Sequence, residues 1–171
     1  MQDINSLFSK IYEYIKTKKE YFDVFIKLDT RYEGWLEAEI LKYISNNLPE
    51  LSIEKTKKKH KEYGRPDIVL EFEDKEWIIE IKAFLINRRS LKNYLLHKRR
   101  RGGAQKEFKR VVKLNSNFWI IICFAPCLGS KDKNYEDIIN QVLKMYNVKK
   151  LNELTFLTPM NKPITLTLWG K

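Results

Sequence analysis

The sequence predicts a mixed α/β domain running helix, three strands, helix, strand, with additions at both termini. Three observations predict it. Apolar residues recur at helical spacing over residues 4–16 and 33–47. The pattern then changes to short strand-like runs between residues 51 and 84. Helical spacing returns at 104–114, ahead of a wholly apolar run at 118–124. The chain of 171 residues suits one domain with a real core, and neither a repeat nor a Pro/Gly/Ser-rich linker divides it, so residues 1–171 are read as a single unit.

The elements follow in order. Ile4, Leu7, Phe8, Ile11, Tyr12 and Ile15 form one apolar face, so an amphipathic helix opens the chain. A second helix covers 33–47 and stops at Asn46, Asn47 and Pro49. Strands are expected at 51–57, 67–72 and 76–84, punctuated by Gly64, Pro66 and the acidic pair Glu73-Asp74, and they read as an antiparallel meander. Ala104, Phe108, Val111 and Val112 share a helical face, and 118–124 reads as a strand buried on both sides. A helix at 135–147 and one or two edge strands within 155–169 complete the chain.

Thirty-three Lys and Arg against 22 Asp and Glu leave a net charge of +11, which points to a polyanionic partner, nucleic acid first. An acidic membrane surface fits less well: no segment joins a basic face to a long apolar stripe, and the longest apolar run, 118–128, contains Pro126. The first residues lack the apolar stretch of a secretory signal, so the chain is expected in the cytosol. Cys123 and Cys127 are too few for a disulfide framework, and without a nearby His they make a poor zinc site; two reduced thiols at a strand end are expected. No Gly-rich phosphate loop, nucleophile elbow or zinc-knuckle spacing is present, and His60 and His97 fall in separate basic segments, which argues against paired-histidine chemistry.

The chemistry concentrates in residues 64–82, where charges interrupt strands that otherwise look buried. If Glu73 and Asp74 make a two-residue hairpin loop, Phe72 faces Lys75 and Asp67 lies opposite Glu80. Directly opposed side chains share a face with Cβ atoms about 5 Å apart, so two carboxylates converge. Lys82, two residues beyond Glu80, shares that face, while Ile79, Ile81 and Ala83 point to the other. Paired carboxylates supply the oxygen ligands that Mg²⁺ prefers, and a lysine beside them can orient or deprotonate a water for phosphodiester hydrolysis. The alternative is a salt-bridged Glu80–Lys82 pair on a solvent-facing strand, with Asp67 a turn residue after Pro66.

Pro66-Asp67 followed by Glu80-Ile81-Lys82 resembles the PD-(D/E)XK nuclease superfamily, whose members include restriction endonucleases, Holliday-junction resolvases and repair exonucleases. The resemblance spans roughly residues 31–124. It implies a restriction endonuclease-like αβββαβ core with a mixed central sheet flanked by helices. It also implies Mg²⁺ or Mn²⁺ held by Asp67, Glu80 and the main-chain carbonyl of Ile81, acting on nucleic acid, in the first instance as a DNA endonuclease. Many members add a glutamate from the helix before the sheet. Here Glu33, Glu37 and Glu39 compete: Glu37 sits with Ile40, Leu41, Ile44 and Leu48 on the apolar face and is favoured, Glu33 lies one turn earlier, and Glu39 points to solvent. Some branches use a Gln from the following helix, which Gln105 matches, although the aromatic residue expected four positions later is Lys109.

Basic clusters flank this segment: Lys55, Lys57, Lys58, Lys59 and Lys61 before it, with Arg65 at its start, and Arg88, Arg89, Lys92, Lys98, Arg99, Arg100, Arg101, Lys106, Lys109 and Arg110 after it. Phosphate contacts are expected chiefly from Lys57, Lys58, Lys59, Arg65, Lys98, Arg99, Arg100, Arg101 and Lys109. Gly102 and Gly103 suggest a loop over residues 86–103 that closes on nucleic acid. A symmetric substrate needing two cuts would favour a homodimer. The competing reading is a basic nucleic-acid-binding protein without catalysis.

Overall fold

The computed structural model describes residues 3–54, 65–72, 75–86, 90–96, 104–114 and 117–171. In order these form α1 (Ile4–Lys16), α2 (Lys19–Leu28), α3 (Glu33–Asn47), β1 (Ser52–Glu54), β2 (Ile68–Phe72), β3 (Lys75–Leu85), α4 (Leu91–Leu96), α5 (Gln105–Leu114), β4 (Phe118–Ala125), a 3₁₀ turn (Gly129–Lys131), α6 (Lys133–Tyr146), β5 (Lys149–Leu157) and β6 (Pro163–Gly170). The strands make one six-stranded sheet in the order β1-β2-β3-β4-β6-β5. Its β3–β4 pair is parallel and its other pairs are antiparallel, so the sheet is mixed.

Alternation along β3 explains why helices cover both faces. Ile79 and Ile81 join one apolar cluster with Leu7, Phe8 and Ile11 of α1 and Leu36, Ile40 and Ile44 of α3. Ile78 and Phe84 join the other, with Phe108 and Val111 of α5 and Ile139 and Val142 of α6. The parallel β3–β4 pair lies at the middle of the order, and β4 is buried along its whole length, as its apolar sequence requires.

The expected antiparallel meander forms, and Phe72 pairs with Lys75 and Ile68 with Ile79. Two helices were not anticipated. In α2, Tyr21, Val24 and Leu28 are exposed while Phe22 and the charged Asp23 are buried, so hydrophobicity misreports the inward face. Asp23 is held by the Thr158 hydroxyl and the Met160 N–H, which ties α2 to the turn between β5 and β6. The short α4 lies inside the stretch that reads only as basic.

Of the C-terminal strands, β5 is the expected edge strand, and β6 departs from the expectation. β6 is not at an edge; it sits between β4 and β5. Its threonines mimic an edge strand in sequence, yet both are fully buried because their hydroxyls find partners. Thr165 donates to the Cys127 carbonyl at 2.7 Å and Thr167 to the Ile122 carbonyl at 3.2 Å. Cys123 and Cys127 are free thiols near the end of β4.

Tyr32 connects fold to site. Its buried hydroxyl lies 3.2 Å from the Phe84 carbonyl and 3.1 Å from that of Cys123, across the ends of the paired strands β3 and β4. That contact fixes the start of α3, and the next residue is Glu33.

Candidate active site

The site begins at a step in the sheet. β2 starts at Ile68, opposite Ile79, whereas β3 continues to Leu85. Beyond that step the β3 edge has no ladder partner on this side among the described residues, and its N–H groups must be satisfied otherwise. Asp67, immediately before β2, accepts the Ile81 N–H through Oδ2 at 2.8 Å. Glu33, at the start of α3, accepts the Ala83 N–H through Oε2 at 3.3 Å. The overhanging edge therefore draws in two carboxylates.

Between them stands the Lys82 ammonium. Its Nζ donates to Glu80 Oε1 and to the Ile81 carbonyl, both at 2.8 Å. Asp67 Oδ2 lies 3.7 Å from it and Glu33 Oε1 3.8 Å. Four oxygens from β3, the residue before β2, and α3 thus surround one positive charge. Asp67, Glu80, Lys82 and Ile81, which the sequence singled out, are brought together here.

The helix carboxylate in this group is Glu33 rather than the favoured Glu37. The buried residues of α3 are Leu36, Ile40 and Ile44. Glu33 lies three residues before Leu36 and seven before Ile40, on the axis of that stripe, and Glu37 is displaced to its flank. Glu37 is half-buried, and its charge helps to raise the Glu33 carboxyl. Glu39 is not simply solvated: its Oε2 accepts the Tyr14 hydroxyl at 2.7 Å, linking α3 to α1.

Burial dominates the electrostatics. It pushes the Glu80 carboxyl up to about 7, with Lys82 opposing and the charges of Glu107 and Asp67 reinforcing the rise. Burial also raises Glu33, opposed by Lys82 and the Ala83 N–H. For Lys82 burial alone would lower the pKa, but Glu80, Glu33 and Asp67 outweigh it and the net shift is upward. Lys82 is therefore a firmly protonated ammonium in this arrangement. Glu80 remains incompletely served, because its second oxygen, Oε2, is buried without a hydrogen-bond partner.

Helix α5 closes the other side. Arg110 Nη1 lies 3.8 Å from Glu80 Oε2 and 2.7 Å from Glu107 Oε2. Sequence reasoning missed Glu107. The available signal was the one applied to α3: a carboxylate three residues after Ala104 and four before Val111, on a stripe that is otherwise core. Gln105 is buried on the same helix, and its Nε2 has no hydrogen-bond partner.

No protein-family model, curated protein or solved structure matches the chain.

Of the phosphate-contacting candidates, Arg65 and Lys109 are exposed, Lys109 at the rim of an open cavity of about 490 Å³ lined also by Val112, Met145 and Tyr146. Lys57, Lys58, Lys59, Lys98, Arg99, Arg100 and Arg101 lie outside the described residues, as do His60, His97, Glu73, Asp74 and most of the expected closing loop. Among the described residues no helix is long and apolar enough to cross a membrane.

Proposed function

We propose that the chain is a metal-dependent nuclease, in the first instance a DNA endonuclease, on a restriction endonuclease-like core similar to that of PD-(D/E)XK enzymes. The main support is the convergence of Glu33, Asp67, Glu80 and the Ile81 carbonyl on a single buried cation, the Lys82 ammonium. A structural salt bridge needs one carboxylate for one cation; Glu33, Asp67, Glu80 and Glu107 against Lys82 and Arg110 leave an excess of negative charge that a divalent ion would offset.

The donor set suits such an ion. Carboxylates and a carbonyl are the hard oxygen ligands of Mg²⁺ and Mn²⁺, and Glu80 Oε2 is a buried oxygen that receives no hydrogen bond. Asp67, Glu80 and the Ile81 carbonyl would hold the ion, with Glu33 as the additional carboxylate. Bound there, Mg²⁺ or Mn²⁺ supplies Lewis acidity and lowers the pKa of a coordinated water. The residues' own work is positional. Asp67 and Glu33, pinned to β3 N–H groups, keep the anionic wall facing one point, and Lys82 provides donors for a phosphate oxygen or for the attacking water. Arg65, Lys109 and the other basic residues of this +11 chain supply the sequence-independent grip on the backbone of nucleic acid. A homodimer would place two such centres on a two-fold substrate.

One observation favours a non-catalytic nucleic-acid-binding protein. Among the described residues, no group of three or more His, Cys, Asp or Glu is drawn together tightly enough to hold a metal ion as it stands. Lys82 already fills the gap, as it would in a purely structural cluster.

Incubating the protein with linear, circular, branched and single-stranded DNA, in Mg²⁺, Mn²⁺ or EDTA, decides between the two. Cleavage with a divalent ion, abolished by EDTA and by Lys82→Ala while DNA binding persists, supports the nuclease. Binding without cleavage under every condition rejects it. With about six phosphates neutralised, binding should fall with salt at a log–log slope near −5.

A further inference from the structure

We infer that Arg110, anchored by Glu107, is a positioning residue for Glu80 and thereby for a divalent ion at the site. The inference rests on the nuclease reading only in assigning Glu80 as a metal ligand.

The geometry forms a chain of three charged groups across two elements. Glu107, buried on α5, grips Arg110 Nη1 at 2.7 Å. The same nitrogen stands 3.8 Å from Glu80 Oε2, a buried oxygen without a hydrogen bond. On the opposite side of that carboxylate, Oε1 is taken by Lys82. The two oxygens of Glu80 thus face different cations, one on β3 and one on α5. The charge of Glu107 opposes ionisation of Glu80, so burying it there is a cost unless it holds something useful. What it holds is Arg110.

Simple charge and positioning predict opposite effects. If Arg110 acted only as a nearby positive charge it would repel an incoming cation, and removing it would tighten divalent binding. If it fixes the ligand, removing it leaves Glu80 free to rotate and weakens binding; loss of outer-shell partners typically costs on the order of 10- to 100-fold in metal affinity.

The test is Mn²⁺ binding to the full chain, without DNA, followed by the electron paramagnetic resonance signal of free Mn²⁺. Arg110→Gln, Glu107→Gln and Arg110→Lys are compared with wild type, alongside thermal melting in EDTA. Arg110→Lys is the critical variant, because a lysine retains the i,i+3 pairing charge for Glu107 but its ammonium ends one bond short of the Nη1 position that faces Glu80. Weaker Mn²⁺ binding by Arg110→Gln and Glu107→Gln, and by Arg110→Lys at unchanged melting temperature, is the expected result. Equal or tighter binding by Arg110→Lys and Arg110→Gln overturns the inference while leaving the nuclease reading intact. Normal Mn²⁺ binding by the wild type without cleavage of any DNA overturns the nuclease reading and leaves this one standing. Failure of the wild type to bind Mn²⁺ at millimolar concentration overturns both.

Discussion

Replacing Lys82 by methionine tests whether the ammonium stands where a metal belongs. Lys82→Met keeps most of the side chain's bulk and removes the charge that Glu80, Asp67 and Glu33 surround. Glu80 is almost fully buried, and stripping one partner from a buried pair typically costs about 3–5 kcal/mol. For a domain of this size, 1 kcal/mol corresponds to roughly 2–4 °C, so melting in EDTA should fall by about 6–20 °C. The loss is softened if Glu80 takes up a proton, and removing Lys82, the charge that opposes the rise of its carboxyl, makes that easier than in the wild type, so melting is followed from about pH 6 to pH 9. Mn²⁺ should restore stability, by about 2.7 kcal/mol at a hundred times its Kd. The increment should exceed that of the wild type, in which the ion must first displace the ammonium. Cleavage should disappear. Scanning fluorimetry with and without Mn²⁺, paired with a plasmid assay, reads all three effects. A variant that melts like wild type in EDTA and gains no more from Mn²⁺ would refute the idea that a cation and the ammonium compete for one place.

Three further outcomes follow from the same geometry. Glu33→Gln should reduce metal-dependent cleavage on the order of 10- to 100-fold, whereas Glu37→Gln should stay closer to wild type; single-turnover rates decide, and the reverse order would restore Glu37 as the helix ligand. Glu80 is raised in the fold, so it binds a proton more tightly there than when unfolded. Its contribution to stability is present below about pH 4.5 and is lost as pH rises through about 7, by up to roughly 3 kcal/mol. Mg²⁺ acts on the ionised form, so the difference in melting temperature between Mg²⁺ and EDTA should widen from pH 6 to pH 8; a constant difference contradicts it. Tyr32→Phe removes the hydroxyl shared by the Phe84 and Cys123 carbonyls, and should lower stability by about 1–3 kcal/mol, read as a lower urea midpoint at unchanged slope.

The register was legible because it depends on few residues: once a two-residue connection joins β2 to β3, alternation fixes which side chains meet, and the Ile68–Ile79 pair places Asp67 beside Glu80. α3 was legible for its extent but not for its orientation. Leu41 and Leu48 pull the apparent apolar face toward Glu37, whereas the buried stripe runs through Leu36, Ile40 and Ile44, a direction set by packing on β3 and by the Tyr32 anchor. α2 and β6 were obscured for opposite reasons. One exposes apolar residues and buries Asp23; the other buries threonines that spend their hydroxyls on backbone carbonyls. In both, partners distant in sequence reverse what hydrophobicity alone suggests.

The same dependence on distant partners explains why the site forms where it does. A strand that outruns its neighbour exposes N–H groups that water or a side chain must satisfy. Here Asp67 and Glu33 satisfy two of them, and acceptors that are carboxylates bring negative charge to the edge along with the hydrogen bonds. Glu80 adds a third charge from the strand itself and Glu107 a fourth from α5, more than Lys82 and Arg110 together balance. The local excess is thus a consequence of the step between β2 and β3. Lengthening β2 across the step would supply backbone acceptors to Ile81 and Ala83, release both carboxylates and dissolve the site without disturbing either core cluster.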